Sequence, residues 1–285
     1  MFDVHPVGRF HGWQMMFIVE GLPSLLWAGL WLALAAERPS EAKWLAPSQA
    51  AALQERLDAE QRDVSAVRNY RVAFSDRRVV TLAAMYFFFS ASSYGLTMYL
   101  PQIVEEGTRR GVAAAGLLLA IPYLLAAFSM SAVGYLSDRT LKRKPFVWGS
   151  MAVGCAAFTS LYIAGSNHFW LAAIALIVVC SCLYTPCGPL WAWMGDMLPR
   201  NVVGESMALV NSVGALGGWV GVNLVGDLKS HFNSTGPAFI FLAACFASAG
   251  ILALAVRTKP RDEPHGFPVV QDAVSTAGQQ AIPHH

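Results

Sequence analysis

Seven long apolar stretches, separated by short polar turns and one long charged segment, commit this chain to crossing a lipid bilayer repeatedly. The spans run Trp13–Ala36, Val79–Pro101, Val112–Leu136, Pro145–Gly165, Phe169–Met194, Val203–Gly226 and Pro237–Val256. Each supplies about the twenty residues that a helix needs to cross roughly 30 Å of hydrocarbon. Away from span ends Glu20 is the only acidic residue, and no span contains Lys or Arg. The chain is 55% hydrophobic and 13% charged with a mean hydropathy of +0.44. Soluble domains carry about a quarter charged residues. The expected fold class is therefore an all-α membrane protein with seven transmembrane helices.

Basic residues set the expected orientation, because cytoplasmic loops next to spans collect Lys and Arg. If the segment between Ala36 and Val79 is cytoplasmic, sixteen of the 20 Lys and Arg fall inside, and only Arg9, Arg109, Arg110 and Lys229 fall outside. This puts Met1 on the outer side and the C-terminal tail in the cytoplasm, in a multi-pass protein of the plasma or inner membrane. The first residues lack the basic region and cleavage site of a signal peptide. Four regions are expected: residues 1–36, an exterior tail and first helix; 37–78, a cytoplasmic loop; 79–256, a six-helix bundle; and 257–285, a disordered tail. In the loop, Ser48 is expected to cap a surface helix with Leu53 and Leu57 on one face. Gly21 and Pro23 would be tolerated as a kink in the first span.

Polar groups inside the spans are the candidate functional residues, since each is costly in hydrocarbon unless it meets a partner or water. Tyr86, Ser90, Ser93 and Thr97 recur at helical spacing, with Tyr94 beside them. The stripe lines an aqueous cavity or packs helices together. In the fifth span, Pro186 and Pro189 remove two backbone donors, so the half carrying Tyr184 and Trp191 cannot be a regular helix. Such interruptions mark substrate sites in transporters, or structural kinks. Tyr184 and Trp191, seven apart, share a face. In the sixth span Asn211, Gly214, Gly218 and Gly221 form one stripe; the glycines favour close helix packing, while Asn211 is open to a neighbour or a ligand. Glu20 is either a structural group or a proton-exchanging site.

Enzyme chemistry finds no support: there is no nucleophile elbow, metal motif or phosphate loop. Nothing points to a cofactor or to nucleic acid. Four of the five cysteines lie in apolar spans and suggest buried thiols rather than a disulfide framework. Cys180, Cys182 and Cys187 lack a paired CxxC and a nearby His. A seven-helix photoreceptor would need a Lys in its last span.

The run from Gly134 through Asp138 and Arg139 to Arg143 and Lys144 resembles the signature cytoplasmic loop of the major facilitator superfamily, with Leu141 where the family prefers Gly. Asp138 is expected to pair with a helix N-terminus while Arg143 and Lys144 remain in water. Two further segments are similar to the anion:cation symporter family. One runs from Gly12-Trp13-Gln14 through Glu20, Gly21 and Pro23 to Glu37-Arg38-Pro39 and Lys43-Trp44. The other is Gly188-Pro189-Leu190-Trp191, followed by Asn211, Gly214 and Gly217 to Gly221. Asn223 stands where a proline is expected, so that helix should kink less.

The resemblance implies that the spans are helices 6 to 12 of a twelve-helix transporter. It implies transport of a small organic anion, a carboxylate, by proton symport, with the bilayer and a missing N-terminal half as further partners. Basic anion-binding residues would then lie largely in that half. The alternative is a non-transporting membrane module, or a half-transporter completed by a separate chain.

Overall fold

The computed structural model describes residues 11–42, 44–62, 76–108, 112–165, 168–198 and 202–256. The expected exterior tail, part of the charged loop and the expected disordered tail lie outside them. Among the described residues regular structure is entirely helical. The order is α1 (Gly12–Leu34), a 3-10 turn (Pro39–Glu41), α2 (Pro47–Arg62), α3 (Arg77–Thr108), α4 (Val112–Thr140), α5 (Arg143–Ala164), α6 (Phe169–Tyr184), α7 (Cys187–Met197), α8 (Val203–Phe232) and α9 (Gly236–Ala255). Seven stretches are long and apolar enough to span a membrane, with α6 and α7 together making one of them.

The chain divides into two units, Met1–Ala66 and Val67–His285. In the first, α1 runs unbroken through Pro23. Past Glu20 it is almost wholly apolar, with Leu25, Leu26, Trp27 and Leu32 exposed, as a helix solvated by hydrocarbon should be. The end of α1, the 3-10 turn and α2 border a groove of about 540 Å³ that includes Trp27, Trp31, Trp44 and Leu53. The expected cap at Ser48 is corrected. The Ala50 N–H donates to Ala46 O at 2.9 Å, so α2 begins one residue earlier with Pro47 in its first turn. There the fixed φ of proline and its missing donor are harmless.

In the second unit α3 is the central element, packed against α8, α9 and α4. Its Leu82, Met85, Leu96 and Leu100 are fully buried. The core continues where Phe246 of α9 meets Phe158 of α5 (ring centroids 5.5 Å apart) and Phe89 of α3 (5.8 Å). A Cβ at Gly154 of α5 would collide with the Phe246 ring, so the glycine makes room for it. Ser92 spans the α3–α9 contact by donating to Leu242 O at 3.1 Å. Hydrocarbon weakens the drive to pack oily faces, so such shape matching and hydrogen bonding hold the helices together.

Helices α3, α4 and α8 outrun their expected spans, to Thr108, Thr140 and Phe232. Apolarity marks the hydrocarbon, whereas the helix continues until water or a cap satisfies its terminal carbonyls. Asn233, in the left-handed region at φ 48°, closes α8. Gly165 closes α5 at φ 49° and ψ −137°, which suits a residue without a Cβ. With Asn223 in place of a proline, α8 is one continuous helix of 30 residues.

Candidate functional site

The glycine stripe of α8 lets that helix approach the backbone of α3. A Cβ at Gly217 would fall on Phe87 O, and one at Gly221 on Ala91 O. Gly214 and Gly218 instead receive the rings of Tyr86 and Tyr94. Close packing, favoured for these glycines from sequence, is what they do. It also gives two candidate site tyrosines fixed backing.

The polar stripe of α3 runs along the same region. Tyr86 packs edge-on against Trp191 of α7, centroids 5.2 Å apart. Ser90 is buried beside Gly214. Thr97 Oγ1 donates to Ser93 O at 2.8 Å, and Ser93 Oγ has no hydrogen-bond partner among the described residues. Further along, Thr97 lies within side-chain reach of Tyr184 on α6. Tyr184 in turn lies edge-on to Tyr123 of α4, centroids 6.0 Å apart. Trp191 and Tyr184 therefore meet α3 at Tyr86 and Thr97, about 16 Å apart at 1.5 Å per residue. Tyr86, Ser93, Thr97, Tyr123, Tyr184 and Trp191 are all only partly buried, and Tyr94 is exposed.

The expected irregularity of the fifth span is confined to a break between α6 and α7 at Thr185–Pro186. Against expectation, Pro189 and Trp191 lie in a regular helix beyond it, because Pro189 falls in the first turn of α7. Thr185 and Pro186 stay in the right-handed helical region (φ −52°, ψ −43° and φ −75°, ψ −14°), so the chain loses hydrogen bonds without unwinding. Pro186 and Pro189 have no N–H to offer the carbonyls of Cys182 and Thr185. Ser129 of α4 reaches across, its Oγ 3.0 Å from Thr185 Oγ1, and Thr185 donates to Ser181 O at 2.7 Å. Cys180, Cys182 and Cys245 are buried free thiols, and Cys155 and Cys187 are free and partly buried.

Asn211 is exposed, and its side chain makes no hydrogen bond among the described residues. It lies one turn before Gly214, away from the tight seam. Glu20 is exposed on α1. It belongs to the first of the two units.

The signature loop departs from expectation. Leu141 sits at φ 55°, the left-handed conformation that glycine takes without strain. Arg143 and Lys144 do not remain in water. The Arg143 guanidinium is 17% exposed and bridges Asp196 of α7 at 3.1 Å and Asp138 of α4 at 3.8 Å. Lys144 Nζ donates to Leu254 O and Val256 O, both at 2.8 Å, and so caps the end of α9. Asp138 therefore has the Arg143 guanidinium as its ionic partner. The reason is that α5 begins at Arg143, which points both cations toward neighbouring helix ends, where carbonyls and carboxylates attract positive charge. Gly134 has open space around it and Arg139 lies in the last turn of α4.

Two participants escaped the sequence reading. One is Asp196, although an acid in the last turn of a helix opposes its dipole and calls for a cation. Tyr123 was passed over, although a phenol in mid-span needs a hydrogen-bonding partner.

A polytopic helical protein with hydroxyls and aromatic rings gathered on a central membrane helix beside an interrupted one has the architecture of a solute transporter. The chain matches the Major Facilitator Superfamily over residues 7–222 and belongs to it. It is 29% identical to each of two proteins of Agrobacterium vitis named "Putative tartrate transporter", over 92% of this chain and 58% and 60% of theirs. It is 31% identical to a quinolone resistance transporter of Acinetobacter baumannii, over 89% of this chain and 58% of that protein. The chain thus spans about three-fifths of the length of these relatives. Membership makes it a multi-pass membrane protein of a transporter family rather than of an enzyme family.

Proposed function

We propose that this chain works in the transport of a small organic anion, a carboxylate, by proton symport, as a member of the anion:cation symporter family. Its seven spans correspond in this reading to helices 6 to 12 of a twelve-helix transporter. The bundle 79–256 forms one wall of the cavity, the segment 37–78 and the C-terminus are cytoplasmic, and the membrane is the plasma or inner membrane. The observation that carries the reading is the polar face of α3, where Tyr86 meets Trp191 and Thr97 meets Tyr184 across the break of a proline-interrupted helix. Partly exposed hydroxyls in mid-membrane are costly unless they meet water or solute. The wall is assigned to Tyr86, Ser90, Ser93, Tyr94, Thr97, Tyr184, Trp191 and Asn211. Glu20 is assigned to proton exchange, and Gly134, Asp138, Arg139, Arg143 and Lys144 to cytoplasmic gating.

One fact supports the anionic class. Relatives are named for tartrate, a dicarboxylate. The spans of this chain hold no Lys or Arg, so the charged end of such a solute would be held by residues outside this wall. The test is uptake of labelled tartrate into proteoliposomes under an inward proton gradient, by this chain alone and together with the segment of the Agrobacterium vitis relative that it does not match. Replacement of Tyr86 by Phe, Tyr184 by Phe and Asn211 by Ala should each reduce uptake about tenfold or more, as expected for lost polar contacts. Unchanged uptake in all three would remove the site. Gradient-independent uptake would remove the coupling. Failure of both preparations across a panel of organic acids would leave a non-transporting module.

A further inference from the structure

The end of α1 and the connector after it border a groove of about 540 Å³ that lies wholly within the first unit. One wall is the last two turns of α1, where Trp27, Trp31 and Leu34 follow at helical spacing. The other includes Trp44 and Leu45 of the connector and Leu53 of α2. The apolar span ends at Leu34, so Trp27 lies about 10 Å inside it at 1.5 Å per residue. Beyond that end come Glu37 and Arg38, which also line the groove, and α2, which is too rich in charge to enter hydrocarbon. The groove therefore straddles the boundary between acyl chains and headgroups, where tryptophan is favoured. Trp44 is 78% exposed, a large apolar surface that gains by meeting lipid rather than water.

The rim of the groove carries both signs of charge. Glu37 and Arg38 are exposed and form no ion pair among the described residues. The C-terminal end of α1 adds partial negative charge, with no basic residue in its last turn to offset it. A complementary ligand has an apolar chain, an anionic oxygen for Arg38, and a cation that can donate hydrogen bonds to Glu37 and to the helix carbonyls. We infer that the groove seats a phospholipid whose headgroup carries a primary ammonium beside its phosphate, with an acyl chain lying along Trp27, Trp31 and Leu34. A purely anionic headgroup meets Glu37 as a like charge, and a quaternary ammonium has no N–H to donate. Such a site is independent of the solute carried.

The test is quenching of tryptophan fluorescence by brominated acyl chains, with the full chain in dodecyl maltoside micelles. Brominated phosphatidylethanolamine, phosphatidylcholine and phosphatidylglycerol are titrated separately. The ethanolamine lipid should reach half-quenching at about a tenfold lower mole fraction than either of the others, as one additional charge-assisted hydrogen bond would give. Glu37→Gln should bring the ethanolamine and choline lipids to equal affinity, whereas Arg38→Gln should weaken both, because both carry the phosphate. Trp44→Phe should remove much of the saturable quenching. Glu37 and Arg38 are exposed, so both variants should keep the helix content of the unmodified chain by circular dichroism. Equal affinity for all three lipids, or a preference for phosphatidylglycerol, would overturn the site. An ethanolamine preference that survives Glu37→Gln would place the lipid elsewhere and overturn it too. Loss of the quenching on addition of the relative's unmatched segment would show the groove to be covered by protein instead.

Discussion

Single residues in this chain do work that their type alone does not announce. Leu141 holds a left-handed backbone at φ 55° with its side chain 60% exposed, so no packing recompenses the strain. Leu141→Gly should stabilise the protein by about 1 kcal/mol, set by the left-handed penalty less the entropy glycine adds to the unfolded chain. Thermal unfolding in detergent measures it, and a lower midpoint would contradict the strain. Gly217 and Gly221 make the opposite case, since any side chain there meets α3 backbone. Gly221→Ala should cost about 1 to 3 kcal/mol. Gly204→Ala, in open space on the same helix, should be neutral or slightly stabilising. Equal effects at the two positions would show that the seam is looser than described.

At the level of elements, the break between α6 and α7 is the feature whose repair is most informative. Pro186→Ala restores a donor for Cys182 O, so the midpoint of thermal unfolding should rise. If transport depends on the break, uptake should fall at the same time; a rise in both would make the prolines a structural residue of no consequence for transport. That break was legible in the sequence because proline acts locally, through one missing hydrogen and a fixed φ. The seven spans were legible for a similar reason: apolar length alone is sufficient in a bilayer. Their ends were not, because a helix leaving the hydrocarbon stops where a cap or water takes over, as Asn233 shows. The hydroxyl stripe on α3 was readable from its period, but its partners were not. Only the fold brings Tyr123 to Tyr184 and the Arg143 cation to Asp196, residues remote in sequence.

For the whole molecule, neighbouring ends of four helices are tied by two adjacent cations. Arg143 joins α4 and α7 to the start of α5, and Lys144 joins α9 to it. The two Arg143 pairs should differ. A double-mutant cycle with Asp196→Asn should give a coupling of about 1 kcal/mol, because the pair is short and the Arg143 side chain largely buried, whereas Asp138, 72% exposed and 3.8 Å away, should give close to none. Coupling of the same size in both cycles would mean that the carboxylates exchange places. Lys144→Met should lower the unfolding midpoint by uncapping α9. The seam between α3 and α8 carries a consequence for motion. Helices whose backbones interlock cannot slide or rotate past each other without lifting glycines over carbonyl oxygens, so any rocking of the bundle must carry the pair as one rigid spar. If the proposed cavity opens alternately to the two sides of the membrane, spin labels placed on the two members should report a single unvarying separation, while a label on α7 changes its distance from both.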